Sequence, residues 1–181
     1  MKFHPTGLEG SYSIDLEPIP DNRGWFARYY CKNEFKQIGH DKEWVQMNHS
    51  FTEKKGSIRG MHFQLNPHRE IKLIRCIHGA VFDVIIDLRN CSDSFLNWFG
   101  FELSAANQKM LYIPAGFAHG FQCLADNCEL LYHHSESYKP ESEGGIRYSD
   151  PYIDIQWPLG LTIISEKDLN HPLLGKDFKG I

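Results

Sequence analysis

Short runs of residues that alternate between apolar and polar recur along most of the chain and predict β-strands. The clearest is AVFDVIIDL, residues 80–88, where Phe82, Val84 and Ile86 share one face with Leu88. A repeat of two residues is the period of a strand, whereas a helix repeats every 3.6 residues. Further runs of this kind are YSIDLEP, WVQMNHSF, IKLIRCI, WFGFELS, KMLYIP, HGFQCL and CELLYHHSE. Turn-forming Gly, Pro, Asn and Asp residues separate them.

Helical signals are confined to two segments. Residues 31–39 favour a short helix, and so does the C-terminal SEKDLNHPLLG, where Ser165 is placed to cap the first turn. Many short strands with few helices predict an all-β sandwich or barrel, and the two-sheet jelly roll is a common form. A chain of 181 residues can bury a core of its own, so we expect one domain over residues 1–181.

A cluster of cations interrupts the strand pattern in RGMHFQLNPHREIKLIRCIHG, residues 59–79. Its members are Arg59, His62, His68, Arg69, Lys72, Arg75 and His78. A cation turned towards a core must find a partner or change its protonation state. The segment therefore either forms a solvated face or lines a pocket for an anion, and the mouth of a barrel is a common place for such a pocket.

Composition narrows the possible partners. A net charge of −4 lacks the basic excess expected of a protein that binds nucleic acid or a membrane surface. No apolar run approaches the ~18 residues of a membrane span, and MKFHPTGLEG has no signal-peptide pattern, so we expect a cytoplasmic protein. The five cysteines form no C-x-x-C pair and are expected to be mostly buried thiols.

Several longer motifs occur in a fixed order. They are RGMHFQ, KLIRCIHGAVFDVIIDLR, LSAANQKMLYIPAGFAHGFQCL, LLYHHSESYKPESEGGIRYSDP, IQWP and ISEKD. Together, from about Gly7 to Leu174, they resemble the dTDP-4-dehydrorhamnose 3,5-epimerase family of cupin-type sugar-nucleotide epimerases. The resemblance implies a cupin-type jelly roll with a few short helices. It also implies an isomerase that inverts C3 and C5 of a nucleotide-linked 4-keto-6-deoxyhexose, in dTDP-rhamnose and cell-surface polysaccharide biosynthesis.

The resemblance assigns four catalytic residues. His62 in RGMHFQ matches the base, and Asp168 in ISEKD matches the carboxylate that orients it. Lys72 matches the cation beside the ketone oxygen, and Tyr132 in LLYHH matches the acid on the other face. These residue types suit the reaction: each proton lies next to the C4 ketone, so its removal gives an enolate that needs a base, a cation or donor, and an acid opposite.

The resemblance also implies a set of substrate contacts. They are Arg23, Phe26, Gln46, Asn48, Arg59, His119, Tyr138, Glu143 and Lys167. Arg59 and His119 match positions around the sugar and phosphates, where a guanidinium pairs with two oxygens of a diphosphate. Arg23 and Phe26 are expected to enter from the second subunit of a homodimer. Arg75 and His78 are expected to face water.

The chain departs from the family pattern at three positions. Members that act on the thymidine compound usually have Glu, Asp and Gln where this chain has Arg28, Met47 and Glu70. The chain is similar instead to a sister group with more varied nucleotides. The substrate nucleotide therefore stays open among dTDP, CDP and GDP, as does the choice between C3, C5 or both.

Two other classes of cupin compete with this interpretation. A metal-dependent cupin needs a His-x-His pair, but His62 is followed by Phe63 and Gln64, and adjacent His133 and His134 point to opposite faces of a strand. A non-catalytic sugar-binding cupin would have lost its base or acid, and this chain keeps both. We expect no metal and no cofactor.

Overall fold

The computed structural model describes residues 1–181, which form two antiparallel sheets, a separate hairpin and a few short helical turns. The strands are β1 (Lys2–Pro5), β2 (Tyr12–Asp15), β3 (Ile19–Asp21), β4 (Gly24–Phe26), β5 (Gln46–Thr52), β6 (Ile58–Gln64), β7 (Lys72–His78), β8 (Ala80–Asp87), β9 (Trp98–Ser104), β10 (Met110–Ile113), β11 (Phe117–Cys123), β12 (Cys128–His134) and β13 (Glu143–Gly145). The helices are α1 (Lys32–Phe35) and α2 (Glu166–Leu169), with 3-10 turns at Lys36–Ile38 and Pro140–Ser142.

The two sheets pack face to face. One has the strand order β1-β2-β10-β7-β12-β5, the other β13-β6-β11-β8-β9, while β3 and β4 pair only with each other. Ile74 and Leu111 from the first sheet and Ile85 and Phe121 from the second belong to one buried cluster. Because apolar side chains of both inner faces interlock there, the molecule is a jelly-roll β-sandwich, and the predicted fold class is confirmed.

Strand β8 is covered on both faces. Val81 and Ile85 face the other sheet, while Val84 and Ile86 pack with Ile155 of the C-terminal segment. The predicted alternation of side chains in AVFDVIIDL is therefore confirmed, but both faces of strand β8 are buried. This leaves Asp83 fully buried on the inner face.

Strands β6 and β11 approach unusually closely at Gly60. A Cβ atom on Gly60 would lie 2.5 Å from the Cα of Gly120, and the φ of Gly60 is +126°. Only glycine fits this contact without displacing the neighbouring backbone. Next to it, His62 and His119 are paired across the two strands. The glycine of RGMHFQ thus brings two histidines side by side on the inner face.

Both predicted helical segments are confirmed. Helix α1 continues into the turn Lys36–Ile38 and ends at Gly39, whose φ of +78° stops the helix. At α2, the Asp168 N–H donates to the Ser165 Oγ at 3.1 Å, so Ser165 is the N-cap. No helix is long and apolar enough to cross a membrane.

The predictions for cysteines and outer cations are mostly confirmed. Three of the five cysteines are buried, and all five are free thiols. His78 is exposed as expected. Arg75 is different, since it is partly buried and its guanidinium lies 5.8 Å from the centre of the Tyr29 ring. The prediction that Arg75 faces water is therefore wrong, because the segment before α1 covers it.

Candidate active site

A cleft between the two sheets collects most of the predicted site residues. Its lining includes Asn48, Arg59, His62, Lys72, His119, Tyr132, Tyr138 and Glu143. Strands β6 and β11 supply one wall, and β5, β7 and β12 supply the other. A ligand in the cleft is therefore contacted from two sides by different sheets.

His62 and Asp168 form a hydrogen-bonded pair on the β6 side. The His62 Nε2–H donates to the Asp168 Oδ1 at 2.8 Å, and the Gly60 N–H donates to the other carboxylate oxygen at 3.0 Å. Burial alone would raise the pKa of Asp168, but these bonds outweigh it and lower that pKa to about 2. An ionised Asp168 holds the imidazole proton on Nε2, which leaves Nδ1 of His62 as the basic nitrogen.

A second histidine lies against the same carboxylate. The His171 Nε2 is 3.6 Å from the Asp168 Oδ1, and this nitrogen is buried without a hydrogen-bond partner. Gly145 makes room for the ring, since a Cβ there would lie 2.2 Å from it. One ligand atom from each of His62, Asp168 and His171 lies within 4.8 Å of the others, so these three are the residues able to hold a metal ion. The sequence motifs gave no signal for His171.

Tyr132 occupies the opposite wall. Its hydroxyl is 2.9 Å from the Ser50 Oγ, and its ring stands edge-on to His119 with centroids 6.3 Å apart. Burial raises the pKa of the Tyr132 phenol, so it stays protonated at neutral pH. Because Tyr132 and His62 belong to different sheets, a sugar ring between them would meet one residue on each face.

Lys72 lies at the start of β7 in a buried cluster. Its Nζ is 3.1 Å from the Glu70 Oε1, and the other oxygen of Glu70 accepts from the His134 Nδ1 at 2.7 Å. The side chains of all three are about nine-tenths buried. Burial would raise the pKa of Glu70, but its bonds to His134 and Lys72 outweigh that effect and lower it. The ammonium of Lys72 is thus held within the cleft wall by an ionised partner.

Two further side chains, those of His119 and Arg59, lie where an anion could reach them. The His119 Nε2 hydrogen-bonds the buried Asp83 carboxylate at 2.9 Å, which fixes the ring. The Arg59 Nε donates to the Thr52 Oγ1 at 2.9 Å, and its Nη2 donates to the Phe51 carbonyl at 3.1 Å. Nη1 of Arg59 has no protein partner and is open to an anionic ligand.

A small ionic group closes one side of the cleft. The Lys167 Nζ lies 2.6 Å from the Glu143 Oε2, which also accepts from the Tyr138 hydroxyl at 2.8 Å. Gln46 lies beside the cleft, where its side-chain N–H donates to Asn48 at 3.2 Å. The predicted substrate contacts Gln46, Asn48, Tyr138, Glu143 and Lys167 therefore lie next to one another.

Arg23 and Phe26 are the two predicted site residues that the chain does not bring to its own cleft. They lie on the β3–β4 hairpin, where the Arg23 side chain is 84% exposed and Phe26 is 69% exposed. Arg23 contacts only the nearby Asp21. Their absence from this cleft agrees with the expectation that they serve a second subunit.

The sequence interpretation did not assign a site role to several lining residues, chiefly Ser50, Glu70 and His134. His134 lies two residues from Tyr132 and so shares its face of β12. That spacing was the available signal. Ser50 gave none, because its role depends on which strand pairs with β12.

The residues that meet in this cleft lie in a part of the chain that matches a known protein family. The model of the dTDP-4-dehydrorhamnose 3,5-epimerase family matches residues 5–176 of this chain. The chain belongs to this family. The predicted family is thereby confirmed, and with it the prediction of an isomerase.

Individual relatives cover nearly the whole chain. The dTDP-4-dehydrorhamnose 3,5-epimerase of Shigella flexneri is 44% identical over 171 residues, which span 94% of both chains. The Legionella pneumophila dTDP-6-deoxy-D-glucose-3,5-epimerase, solved with dTDP-4-keto-L-rhamnose, has a TM-score of 0.90 at 35% identity and covers 95% of this chain and 92% of its own.

A third relative differs in its reaction. It is a 3'-monoepimerase from Streptomyces bikiniensis, solved with dTDP as a double mutant with a histidine changed to asparagine and a tyrosine changed to phenylalanine. Its TM-score is 0.87 at 29% identity, and the match covers 94% of this chain and 86% of that one. A protein named for epimerisation at a single centre therefore shares this fold.

Proposed function

We propose that the protein epimerises a dTDP-linked 4-keto-6-deoxyhexose at C3, C5 or both, of the dTDP-4-dehydro-6-deoxyglucose to dTDP-4-dehydrorhamnose type. The observation that carries the proposal is the placement of the His62–Asp168 pair and Tyr132 on facing walls of one cleft. Inversion needs a base on one face of the sugar and an acid on the other. The nucleotide is proposed from the dTDP-sugar bound to the Legionella relative.

In the proposed first step, Nδ1 of His62 takes a proton from the carbon next to the C4 ketone. The electron pair of the C–H bond moves into the C3–C4 or C4–C5 bond, and the carbonyl oxygen becomes an enolate oxygen. Asp168 stabilises the imidazolium through Nε2, while the Lys72 ammonium stabilises the oxygen. Both charges that develop thus have an opposite charge in the cleft wall.

In the second step, the Tyr132 hydroxyl gives its proton to the opposite face of the same carbon. The enolate collapses to the ketone, the His62 imidazolium releases its proton to water, and the Tyr132 phenolate regains a proton from water. Since the pKa of this phenol is raised by burial, Tyr132 keeps its proton until the enolate forms. In the Streptomyces relative the replaced histidine and tyrosine have the same sequence separation as His62 and Tyr132, which supports this pairing.

Inversion at a single carbon is the second candidate, because a structural relative is a 3'-monoepimerase. One experiment tests both. The 4-keto-6-deoxy sugars of dTDP, CDP and GDP are incubated with the protein in deuterated water, and NMR locates the deuterium. We expect exchange with inversion for the dTDP compound. Exchange at C3 alone would select the single-centre reaction, and no exchange with any nucleotide would contradict the proposal.

We further propose a homodimer in which the β3–β4 hairpin of one subunit completes the cleft of the other. Trp25 and Phe26 are 51% and 69% exposed on this hairpin. Strand β5 is the edge of its sheet, and it exposes Met47 and Phe51. Exposed apolar groups and an open strand edge both favour association, and β5 also carries the cleft residue Asn48.

Subunit mixing tests this assembly. Arg23→Ala and His62→Ala should each be nearly inactive as pure proteins. In an equal mixture that exchanges subunits freely, half of the dimers are hybrids with one site free of both changes, so about a quarter of wild-type activity should return. Subunit exchange is verified with a mass tag. Absence of rescue despite proven exchange, or a monomer by light scattering at micromolar concentration, would reject the arrangement.

A further inference from the structure

One wall of the cleft contains an unbroken series of hydrogen bonds, here called the polar chain. It consists of Lys72, Glu70, His134, Asn48, Gln46 and the backbone N–H of Tyr138. Glu70 bridges Lys72 and His134 through its two carboxylate oxygens. His134 uses its second nitrogen, Nε2, to contact the Asn48 amide nitrogen at 3.3 Å.

The polar chain continues from Asn48 to the backbone. The Gln46 Nε2–H donates to the Asn48 Oδ1 at 3.2 Å. The Gln46 Oε1 in turn accepts from the Tyr138 backbone N–H at 3.0 Å. A backbone N–H is always a donor, so it fixes which end of the Gln46 amide faces it.

This fixed donor determines the direction of every bond as far as His134. Because the oxygen of Gln46 faces Tyr138, its NH₂ group must face Asn48. Asn48 must then turn its oxygen to Gln46 and its NH₂ group to His134. The Nε2 of His134 is therefore an acceptor. At the other end Glu70, an acceptor only, requires a proton on Nδ1. Both ends thus demand the same neutral tautomer of His134.

A proton on Nε2 would place two donors against each other. Asn48 could accept that proton only by rotating its amide, and Gln46 would have to rotate as well. The NH₂ group of Gln46 would then face the Tyr138 N–H, so the conflict would only move along the polar chain. Protonation of His134 therefore costs at least one hydrogen bond of the wall.

The surroundings of His134 contain both signs of charge. The ring stacks on Tyr132 with centroids 6.1 Å apart and an angle of 15°. Glu70 from the preceding loop and Lys72 from β7 approach it from the side, and His133 points to the other face of β12, where it contacts Tyr29. Glu70 is the only anion that contacts the His134 ring, and its carboxylate also contacts Lys72.

We propose that His134 is a positioning residue: neutral, with its proton on Nδ1, it orients the amides of Asn48 and Gln46 so that they offer N–H donors to oxygen atoms of the nucleotide-sugar. The inference rests on the proposed function, because it assumes that this cleft binds that substrate. It adds a pH dependence of binding that arises from this wall of the cleft and not from His62. When His134 takes up a proton, the amides lose their orientation and affinity falls.

The test measures binding without turnover. The probe is dTDP-glucose, which has no C4 ketone to epimerise and no phosphate group that titrates between pH 5 and 8. His134→Leu removes both bonds of the ring and should weaken binding of the probe about 10-fold at pH 8, the effect of one or two lost hydrogen bonds. His134→Gln retains an acceptor for Asn48 but cannot titrate, so it should bind within about 3-fold of wild type.

A matched control lies at the opposite edge of the same sheet. His4 on β1 contacts Asp15 on β2 at 3.1 Å, as another histidine–carboxylate pair that bridges two strands, but it does not line the cleft. His4→Leu should leave the Kd of dTDP-glucose unchanged. It therefore reports the effect of losing such a pair on the sheet alone.

The pH dependence distinguishes positioning from packing. Between pH 8 and pH 5, the Kd of wild type should rise by about 10-fold more than that of His134→Gln, because only the wild-type side chain can lose its acceptor nitrogen by taking up a proton. His62 and His119 are present in both proteins, so any contribution of theirs to binding cancels in the comparison. Circular dichroism and thermal unfolding confirm that each variant is folded.

The outcomes separate this inference from the proposed function. If wild type does not bind dTDP-glucose, the proposed nucleotide fails, and the inference fails with it. If wild type binds and His134→Leu binds equally well, His134 has no positioning role although the function stands. If His134→Leu is unfolded, the comparison of wild type with His134→Gln decides the question. Parallel curves of Kd against pH for these two proteins would overturn the inference.

Discussion

Replacing His62 with asparagine is expected to lower kcat by about 10³-fold or more and to abolish solvent deuterium exchange at C3 and C5, because general-base catalysis contributes ~10²–10⁴-fold. The asparagine amide keeps a donor near Asp168 but offers no basic nitrogen to the substrate. Exchange is measured by NMR in deuterated water, and kcat by product formation. His78→Asn, on an exposed histidine at the end of β7, is the matched control and should retain wild-type activity.

Asp168→Asn extends the same argument without removing the base. The Gly60 N–H donates to one oxygen of Asp168, so an asparagine must keep its only oxygen there and turn its NH₂ group to His62. That donor forces the His62 proton onto Nδ1, the nitrogen that must accept the proton of the substrate. We expect a loss of kcat close to that of His62→Asn. Wild-type exchange in His62→Asn would show that another group removes the protons, whereas wild-type exchange in Asp168→Asn alone would show that His62 acts without the help of this carboxylate.

The sequence predicted the strands well, and it also predicted many of the residues that line the cleft, because both predictions depend on local signals. Period-two alternation identifies β8, and RGMHFQ combines Gly60 with His62 on one strand. The close approach of Gly60 to Gly120 shows why that motif is constrained: the backbone contact and the position of His62 are fixed together. A signal of this kind is visible in the sequence before the structure is known.

Features that depend on pairing between distant segments were not predicted. His134 faces the cleft because β12 pairs with both β5 and β7, which brings Asn48 and Glu70 to its two ring nitrogens. His171 reaches Asp168 through a turn after α2 and a gap left by Gly145. Neither contact has a fixed spacing in the sequence, so only the three-dimensional arrangement identifies them.

Replacing Tyr132 with phenylalanine is expected to separate proton removal from inversion. The variant keeps the ring and its edge-on contact with His119 but loses the hydroxyl that lies 2.9 Å from Ser50. His62 would still remove the proton and could return a deuteron to the same face. Deuterium should therefore enter the substrate with the original configuration retained, while the rate of inversion falls by ~10²-fold or more, the scale of a lost general acid.

The measurement follows deuterium content by mass spectrometry and configuration by NMR on the same sample. Tyr138→Phe is the matched control, because it removes the other tyrosine hydroxyl of the cleft, which bonds Glu143 at 2.8 Å. It should affect KM but leave each exchanged centre inverted. Normal inversion in Tyr132→Phe together with retention in Tyr138→Phe would transfer the acid role to Tyr138. Normal inversion in both would mean that water supplies the proton. Only retention confined to Tyr132→Phe fits an acid held on the sheet opposite His62.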